Sequence, residues 1–213
     1  MKFIFGVILL FQFHCSFSQE IQLNFNYGGN GVNGFIGQRS LFLNDSAYSL
    51  ANSLSANASI KVFQKNTIAV FSGLEFQKTQ RIDYERIRKT DGFVHLSSKE
   101  IYTSLGINLT ARKSFSEEKY SLLFSVLPML NVRTKFIDCV DCANGQETMG
   151  SSRLETSFNL PIQLSFLRSY QVKDYAFGFG PFMRYSILSM SDRYTFKPFF
   201  GGIQLQVSWR KSA

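Results

Sequence analysis

The chain has 213 residues, with 23 Lys and Arg against 15 Asp and Glu and a formal charge of +8. A hydrophobic content of 45% with 18% charged residues excludes wholesale disorder, and the length suits one domain. Mean hydropathy near zero is unlike a helical membrane protein, whereas a barrel in lipid averages to such a value because apolar and polar residues alternate.

Residues 1–18 read as a signal peptide. Lys2 is the positive start, Phe3 to Phe13 the apolar run, and Ser16-Phe17-Ser18 supplies small residues for cleavage after Ser18. The run is too short for a membrane span, which takes about 20 apolar residues. Gln12-Phe13-His14 before Cys15 lacks the small residues and Leu of a lipid-attachment box. Residues 19–213 then form one domain with 22 basic and 15 acidic residues, a charge of +7. That charge reads either as attraction to anionic headgroups and lipopolysaccharide phosphates or as plain solubility charge.

The first strand runs from Glu20 to Tyr27, with Ile21, Leu23, Phe25 and Tyr27 opposite Gln22, Asn24 and Asn26. A Gly/Asn-rich connection reaches to about Ser49. Its glycines lack the Lys-Ser/Thr ending of a phosphate-binding loop. The second strand spans about Ser49 to Phe63, and a tight turn at Gln64-Lys65-Asn66 leads into the third, from Ile68 to Gln77. Lys78 to Ser98 is expected to be a charged, mobile-looking arm. Its segment Arg81 to Lys89 is read as a solvated hairpin extension or as a contact for lipopolysaccharide phosphates or a partner protein.

The fourth strand covers about Lys99 to Arg112 and the fifth Lys119 to Lys135. Pro128 within the fifth implies a bulge or a locally missing ladder bond. A loop from Phe136 to Ser152 follows. The sixth strand alternates from Arg153 to Phe166, Ser169 to Lys173 turns, and the seventh covers Tyr175 to Ile187. The eighth ends the chain, with Ile203, Leu205, Val207 and Trp209 opposite Gln204, Gln206 and Ser208. The expected fold is therefore all-β: an antiparallel, up-and-down, eight-stranded transmembrane β-barrel behind a cleaved signal peptide.

Periodicity alone also fits a secreted lipocalin-like carrier with the apolar face inward. Three features favour lipid outside. The polar face is rich in small and hydrogen-bonding residues that fill a narrow lumen. Short and long connections alternate, which places short turns and both termini in the periplasm. Aromatics form two belts, Tyr120, Phe166, Tyr175 and Trp209 at the inner end and Tyr27, Phe76, Tyr185 and Phe199 at the outer.

The signal peptide, the eight alternating strands and the terminal Gly202-Ile-Gln-Leu-Gln-Val-Ser-Trp209 together resemble small outer-membrane barrels such as OmpX and the transmembrane part of OmpA. The resemblance covers residues 19–213 as pattern. It implies a bacterial outer-membrane location and recognition of the last strand by the barrel-assembly machinery, although Arg210-Lys211-Ser212-Ala213 follow the usual terminal aromatic. It carries no functional motif, so it implies no activity.

Charges on the inward face, Glu75, Glu100, Glu155, Arg133, Arg153 and Arg184, read as a structural network, since an unpaired buried charge costs several kcal/mol. The alternative is a gated ion path. Cys139-Val140-Asp141-Cys142 reads as a loop disulfide; a redox motif or a metal knuckle lacks its context, and no metal or other cofactor is expected. His95 and Ser97, with Glu100 beyond, resemble the His-x-Ser pair of outer-membrane lipid A deacylases. That resemblance implies a base, a nucleophile and an orienting acid, but Ser98 stands where their motif has Asn. The leading expectation is a non-enzymatic outer-membrane barrel working through its outer loops or as a partner or structural subunit. Its partners are outer-membrane lipid, lipopolysaccharide, the assembly machinery and an unidentified protein, with no nucleic acid. A rim-located lipid A hydrolase is the runner-up.

Overall fold

The computed structural model describes residues 20–30, 48–89, 92–116, 118–140, 148–153, 157–188 and 197–210. The proposed signal peptide lies outside them. Within the described residues, eleven strand segments build eight crossings. They are β1 (Glu20–Asn30), β2 (Tyr48–Lys65), β3 (Ile68–Lys89), β4 (Gly92–Phe115), β5 (Tyr120–Val126), β6 (Met129–Val140), β7 (Thr148–Arg153), β8 (Phe158–Asn159), β9 (Pro161–Val172), β10 (Tyr175–Ser186) and β11 (Phe199–Arg210). Segments β5 and β6 make the fifth crossing, and β7, β8 and β9 the sixth. Each crossing pairs antiparallel with the next, and β1 closes onto β11 from Glu20↔Arg210 to Gly29↔Gly201. The result is a closed up-and-down barrel of eight antiparallel crossings. Closure pairs the edges that an open sheet would leave unbonded.

The side-chain period of two sorts the barrel wall. Gln22, Asn24 and Asn26 are buried, while Ile21, Leu23, Phe25 and Tyr27 stand exposed on the outside. The same parity holds in β11, where Gln204, Gln206 and Ser208 point inward and Ile203, Leu205 and Trp209 outward. A lipocalin-like interior would be apolar, so this polar interior overturns the ligand-carrier alternative. The outer surface is a continuous apolar wall, which in water would be a large association liability and in hydrocarbon is the stable arrangement.

Register partners Tyr175↔Trp209 and Tyr185↔Phe199 mark two aromatic rungs ten residues apart along β10 and β11. Ten residues at about 3.3 Å each, tilted by about 40°, rise about 25 Å, the height of the apolar band of an outer-membrane barrel. Tyr120 and Phe166 stack with ring centroids 5.9 Å apart. Tyr27 and Phe76 also point outward.

Two departures from the expected strands have physical causes. Residues 78–89 and 92–98 of the expected charged arm are strand: β3 and β4 pair without a register break from Ile68↔Lys113 to Lys89↔Gly92. Apolar alternation ceases there because a ribbon beyond the hydrocarbon band has no lipid face to satisfy, and backbone pairing needs none. The expected loop from Phe136 likewise begins as strand, β6 running to Val140 and pairing with β7. The fifth crossing does break at Leu127-Pro128. Backbone groups there stay bonded, Leu127 N to Pro161 O at 2.9 Å and Ile107 N to Pro128 O at 3.0 Å.

Three tight turns, one at Asn66-Thr67, one closed by the Lys119 N to Ser116 O bond and one at Lys173-Asp174, share one end of the barrel with Glu20 and Arg210. Among the described residues, the four non-glycine residues with positive φ, Asn66, Ser116, Glu118 and Lys173, sit in these turns. Left-handed backbone lets so few residues reverse the chain. Near the opposite end of the seam, Gly28 and Gly202 face each other, and the buried Phe182 ring lies across both. A Cβ on Gly28 would sit 2.8 Å from that ring, so glycine is what lets an aromatic fill the lumen here.

Leu205 is half exposed and lies midway between the rungs. Leu205→Arg is expected to cost about 2–4 kcal/mol in urea unfolding from lipid vesicles. On a water-facing wall the same change would stay within about 0.5 kcal/mol, and that smaller value would overturn the lipid assignment.

Candidate functional site in the barrel lumen

The inward residues do not line an open channel. They close on one another in three layers. In the middle layer Glu75 on β3 is 1% exposed and accepts from Arg184 of β10 at 2.6 Å. Its second oxygen accepts from Asn57 Nδ2 at 3.0 Å and Asn108 Nδ2 at 3.1 Å. Arg184 Nε also donates to Gln163 Oε1 at 2.7 Å. Gln163 donates to Gln204 at 3.0 Å, Gln204 to Asn24 at 3.0 Å, and Asn24 to Asn57 at 2.8 Å. The six residues form a circuit over β3, β10, β9, β11, β1 and β2. Its bonds all run from the guanidinium toward the carboxylate, so each polarises the next.

The turn-end layer is built on Glu20, which is fully buried. Arg112 on β4 donates to both of its oxygens, at 2.8 and 3.2 Å. Lys61 lies 3.5 Å and Arg210 3.2 Å from the same carboxylate. Arg210 reaches on to Glu118 at 2.5 Å. Phe71 supports the Arg112 guanidinium from within the lumen, its ring centroid 4.8 Å away.

Toward the other end, Tyr102 donates to Glu100 at 2.7 Å, and Gln77 donates to Ser53 at 2.9 Å and Thr79 at 3.0 Å. Asn131 bonds to Ser104 and, at 2.6 Å, to Ser157. Leu123, Leu127, Met129, Leu167 and Phe200 fill gaps between these groups, each at most 1% exposed. Such a plug holds itself together through its own side chains. Among the described residues no three His, Cys, Asp or Glu gather as for a metal ion.

The structure sorts the expected interior charges unevenly. Glu75 and Arg184 meet directly. Glu100 points inward but is held by Tyr102. Arg133 is a correction: it is exposed on the outside, because the register shifts opposite Thr103/Ser104 and Val132 becomes an extra residue that reverses the parity after Asn131. Thr134 takes the inward place. Arg153 ends β7 opposite Thr134, with only its backbone described, and Glu155 lies outside the described residues. Cys139 is in β6 opposite Ser97, and Cys142 lies outside the described residues, as does the proposed disulfide.

His95 and Ser97 occupy β4 opposite Arg86 and Tyr84. Pairing is regular from there to Glu100, so the two share a face of the ribbon and Glu100 belongs to the other. The three are not brought together. Sequence reasoning missed Glu20, Arg112, Lys61 and Arg210. For Glu20 and Arg112 the signal was present as parity: Glu20 continues the series Gln22, Asn24, Asn26, and Arg112 continues Asn108, Thr110.

No family model matches this chain, and no curated protein sequence matches it. Among solved structures it is similar to Ail, the attachment invasion locus protein of Yersinia pestis, in complex with the heparin analogue sucrose octasulfate. That likeness is 13% identical over 90% of this chain and 97% of that one, with a TM-score of 0.38. Neisserial surface protein A is 12% identical over 90% and 96%, with a TM-score of 0.34. The translocator domain of the autotransporter NalP from Neisseria meningitidis is 11% identical over 90% and 88%, with a TM-score of 0.39. The barrel fold stands on this chain's own strand pairing.

Glu75→Ala leaves Arg184 buried without its carboxylate and is expected to cost about 3–5 kcal/mol in urea unfolding from detergent micelles. The double replacement Glu75→Met with Arg184→Met should recover most of that loss. Additive losses in the double variant would show that the two charges are not coupled.

Proposed function

We propose that this chain is an integral protein of the bacterial outer membrane that performs no chemistry of its own. It works through the strands and connections at the end away from the tight turns, as a binding surface or as a structural subunit. One observation carries this reading: the outer wall is apolar while the lumen is closed by paired side chains. A barrel so filled transports nothing bulky, and the groups left to act are outside it.

In this reading the tight turns and both termini face the periplasm, and the β3–β4 ribbon stands outside the cell. Removal of residues 1–18 accompanies export. The strand Gly202 to Trp209 serves as the assembly signal. The ribbon's Arg81, Arg86, Arg88 and Lys89 meet lipopolysaccharide phosphates or an acidic partner protein.

A lipid A hydrolase using His95 and Ser97 remains the second reading. Their shared ribbon face favours it; the placement of Glu100 on the opposite face, bonded to Tyr102, opposes it.

Cell fractionation is expected to recover the protein with the outer membrane, and an unheated sample should migrate faster on a denaturing gel than a boiled one. Recovery as a soluble monomer without detergent would overturn the membrane reading. Mass spectra of lipid A from cells carrying wild type, His95→Ala or Ser97→Ala should be identical. Loss of an acyl chain with wild type alone would establish the enzyme instead.

A further inference from the structure

The lipid-facing wall changes character abruptly on three neighbouring strands. Phe76, Leu105 and Leu130 stand side by side on β3, β4 and β6, at 43%, 50% and 52% exposed. The next outward-facing rung holds Lys78, Thr103 and Arg133. Lys135 stands beside Ile101 one rung further, and Lys99 beside Ile82 on the rung after that. Lys78, Arg133 and Lys135 are exposed, and Lys99 is half-buried. Lys78 lies ten residues along β3 from Ile68 at the turn end. By the rise used above, the cations therefore begin about 25 Å up the wall, where the apolar band of such a barrel ends.

The bulge at Val132 creates this cluster. Counted from the outward Leu130, Arg133 and Lys135 would point into the lumen. The extra residue turns both to the lipid side, beside Lys78 and Lys99. Glu75 and Glu100, the acids of the same stretch of β3 and β4, go the other way and are buried inside. Among the described residues none of the four cations pairs with a carboxylate. With neighbouring strands about 4.8 Å apart and alternate residues about 7 Å apart, the four share a patch about 10 Å wide and about 14 Å tall. Like charges gathered at the edge of hydrocarbon repel one another unless an anion joins them.

We propose that Lys78, Lys99, Arg133 and Lys135 form a docking site on the barrel wall for one lipid with two headgroup phosphates, of the lipid A kind. Its phosphates meet the four cations, and its acyl chains lie below them on Phe76, Leu105 and Leu130. Two phosphates suit the site better than one, because the cations are spread more widely than a single phosphate reaches. The inference rests on the outer-membrane reading given above and fails separately from it: a barrel recovered with the outer membrane that shows no lipid preference overturns only the docking site.

The test uses the folded barrel in neutral maltoside micelles. Native mass spectrometry counts the lipids it retains as lipid A, monophosphoryl lipid A or phosphatidylglycerol is titrated in. One lipid A should bind saturably, and the other two more weakly. The fourfold variant Lys78→Gln, Lys99→Gln, Arg133→Gln and Lys135→Gln should weaken lipid A binding at least about tenfold. Replacing four exposed cations of the turn end, Lys65→Gln, Lys113→Gln, Lys119→Gln and Arg168→Gln, should leave it unchanged. Should the first variant fail to fold, Lys78→Gln with Arg133→Gln provides the same test, again with weaker binding. Equal losses in the two fourfold variants would mean attraction to overall charge and would overturn the proposal. Retention of phosphatidylglycerol by the wild type as strong as that of lipid A would overturn it too.

Discussion

A ring of eight strands encloses a space only as wide as the side chains that enter it, and this limit governs the whole molecule. Every second residue must point inward, so every second residue must find its partners among the others already there. The wall cannot relax to admit an unpaired charge, because its backbone is fully committed to neighbours on both sides. Glu75 shows how tightly the requirement acts: one carboxylate receives Arg184, Asn57 and Asn108, from three different strands. Replacing a buried ion pair by apolar groups of similar size is often neutral for stability, so the pair is poorly explained as a source of stability alone. Its circuit touches six of the eight crossings. A one-residue slip of any of these strands would turn its polar residues into lipid and break the circuit, which makes the network a check on register.

The same limit separates the tasks of the two faces. Inside, specificity comes from directional bonds between Asn, Gln, Ser and the charged pairs. Outside, the requirement is only to be apolar, with aromatics where the hydrocarbon meets headgroups. That division explains why β3 and β4 change character part-way along. Up to about Thr79 and Glu100 they keep the inside–outside code, and beyond Tyr84 and Leu96, where pairing with β2 and β6 ends, they continue as a two-stranded ribbon held by backbone pairing. The barrel is thus a rigid base for strands free of the membrane's demands, and residues there answer to whatever they meet.

Period-two alternation made the barrel legible because lipid and lumen impose opposite chemistry on adjacent residues. Strand order and the inward placement of Glu75 and Arg184 follow from that one pattern, while the interruption at Pro128 follows from the donor that proline lacks. What it hid has equally specific causes. The ribbon at Arg81 to Lys89 lost the alternation together with the lipid, so strand looked like loop. Arg133 was misplaced because a single bulged residue reverses parity for all that follow, and nothing in the residue types around Val132 announces it. The turn-end cluster was overlooked since Glu20 and Arg112 stand at strand ends, where a charge looks like an ordinary solvated cap. Pairing between chosen residues, such as Glu75 with Arg184, depends on barrel stagger, which the one-dimensional pattern does not contain.

The seam between β1 and β11 brings these threads together. A closed barrel must join strands from the two ends of its sequence, with nothing in the chain's connectivity to set their offset. Here Glu20 stands opposite Arg210, while Lys61 and Arg112 approach the same carboxylate from β2 and β4. Those cations converge only if β1 has closed in this register. Further along the seam, Gly28 opposite Gly202 admits the Phe182 ring only in the same alignment. An electrostatic pin at one end and a steric one toward the other therefore define closure from both directions. Glu20 is well suited to the first role. Its burial makes an unpaired state costly, so a misregistered seam is penalised by the loss of its cations as well as by a missing backbone bond.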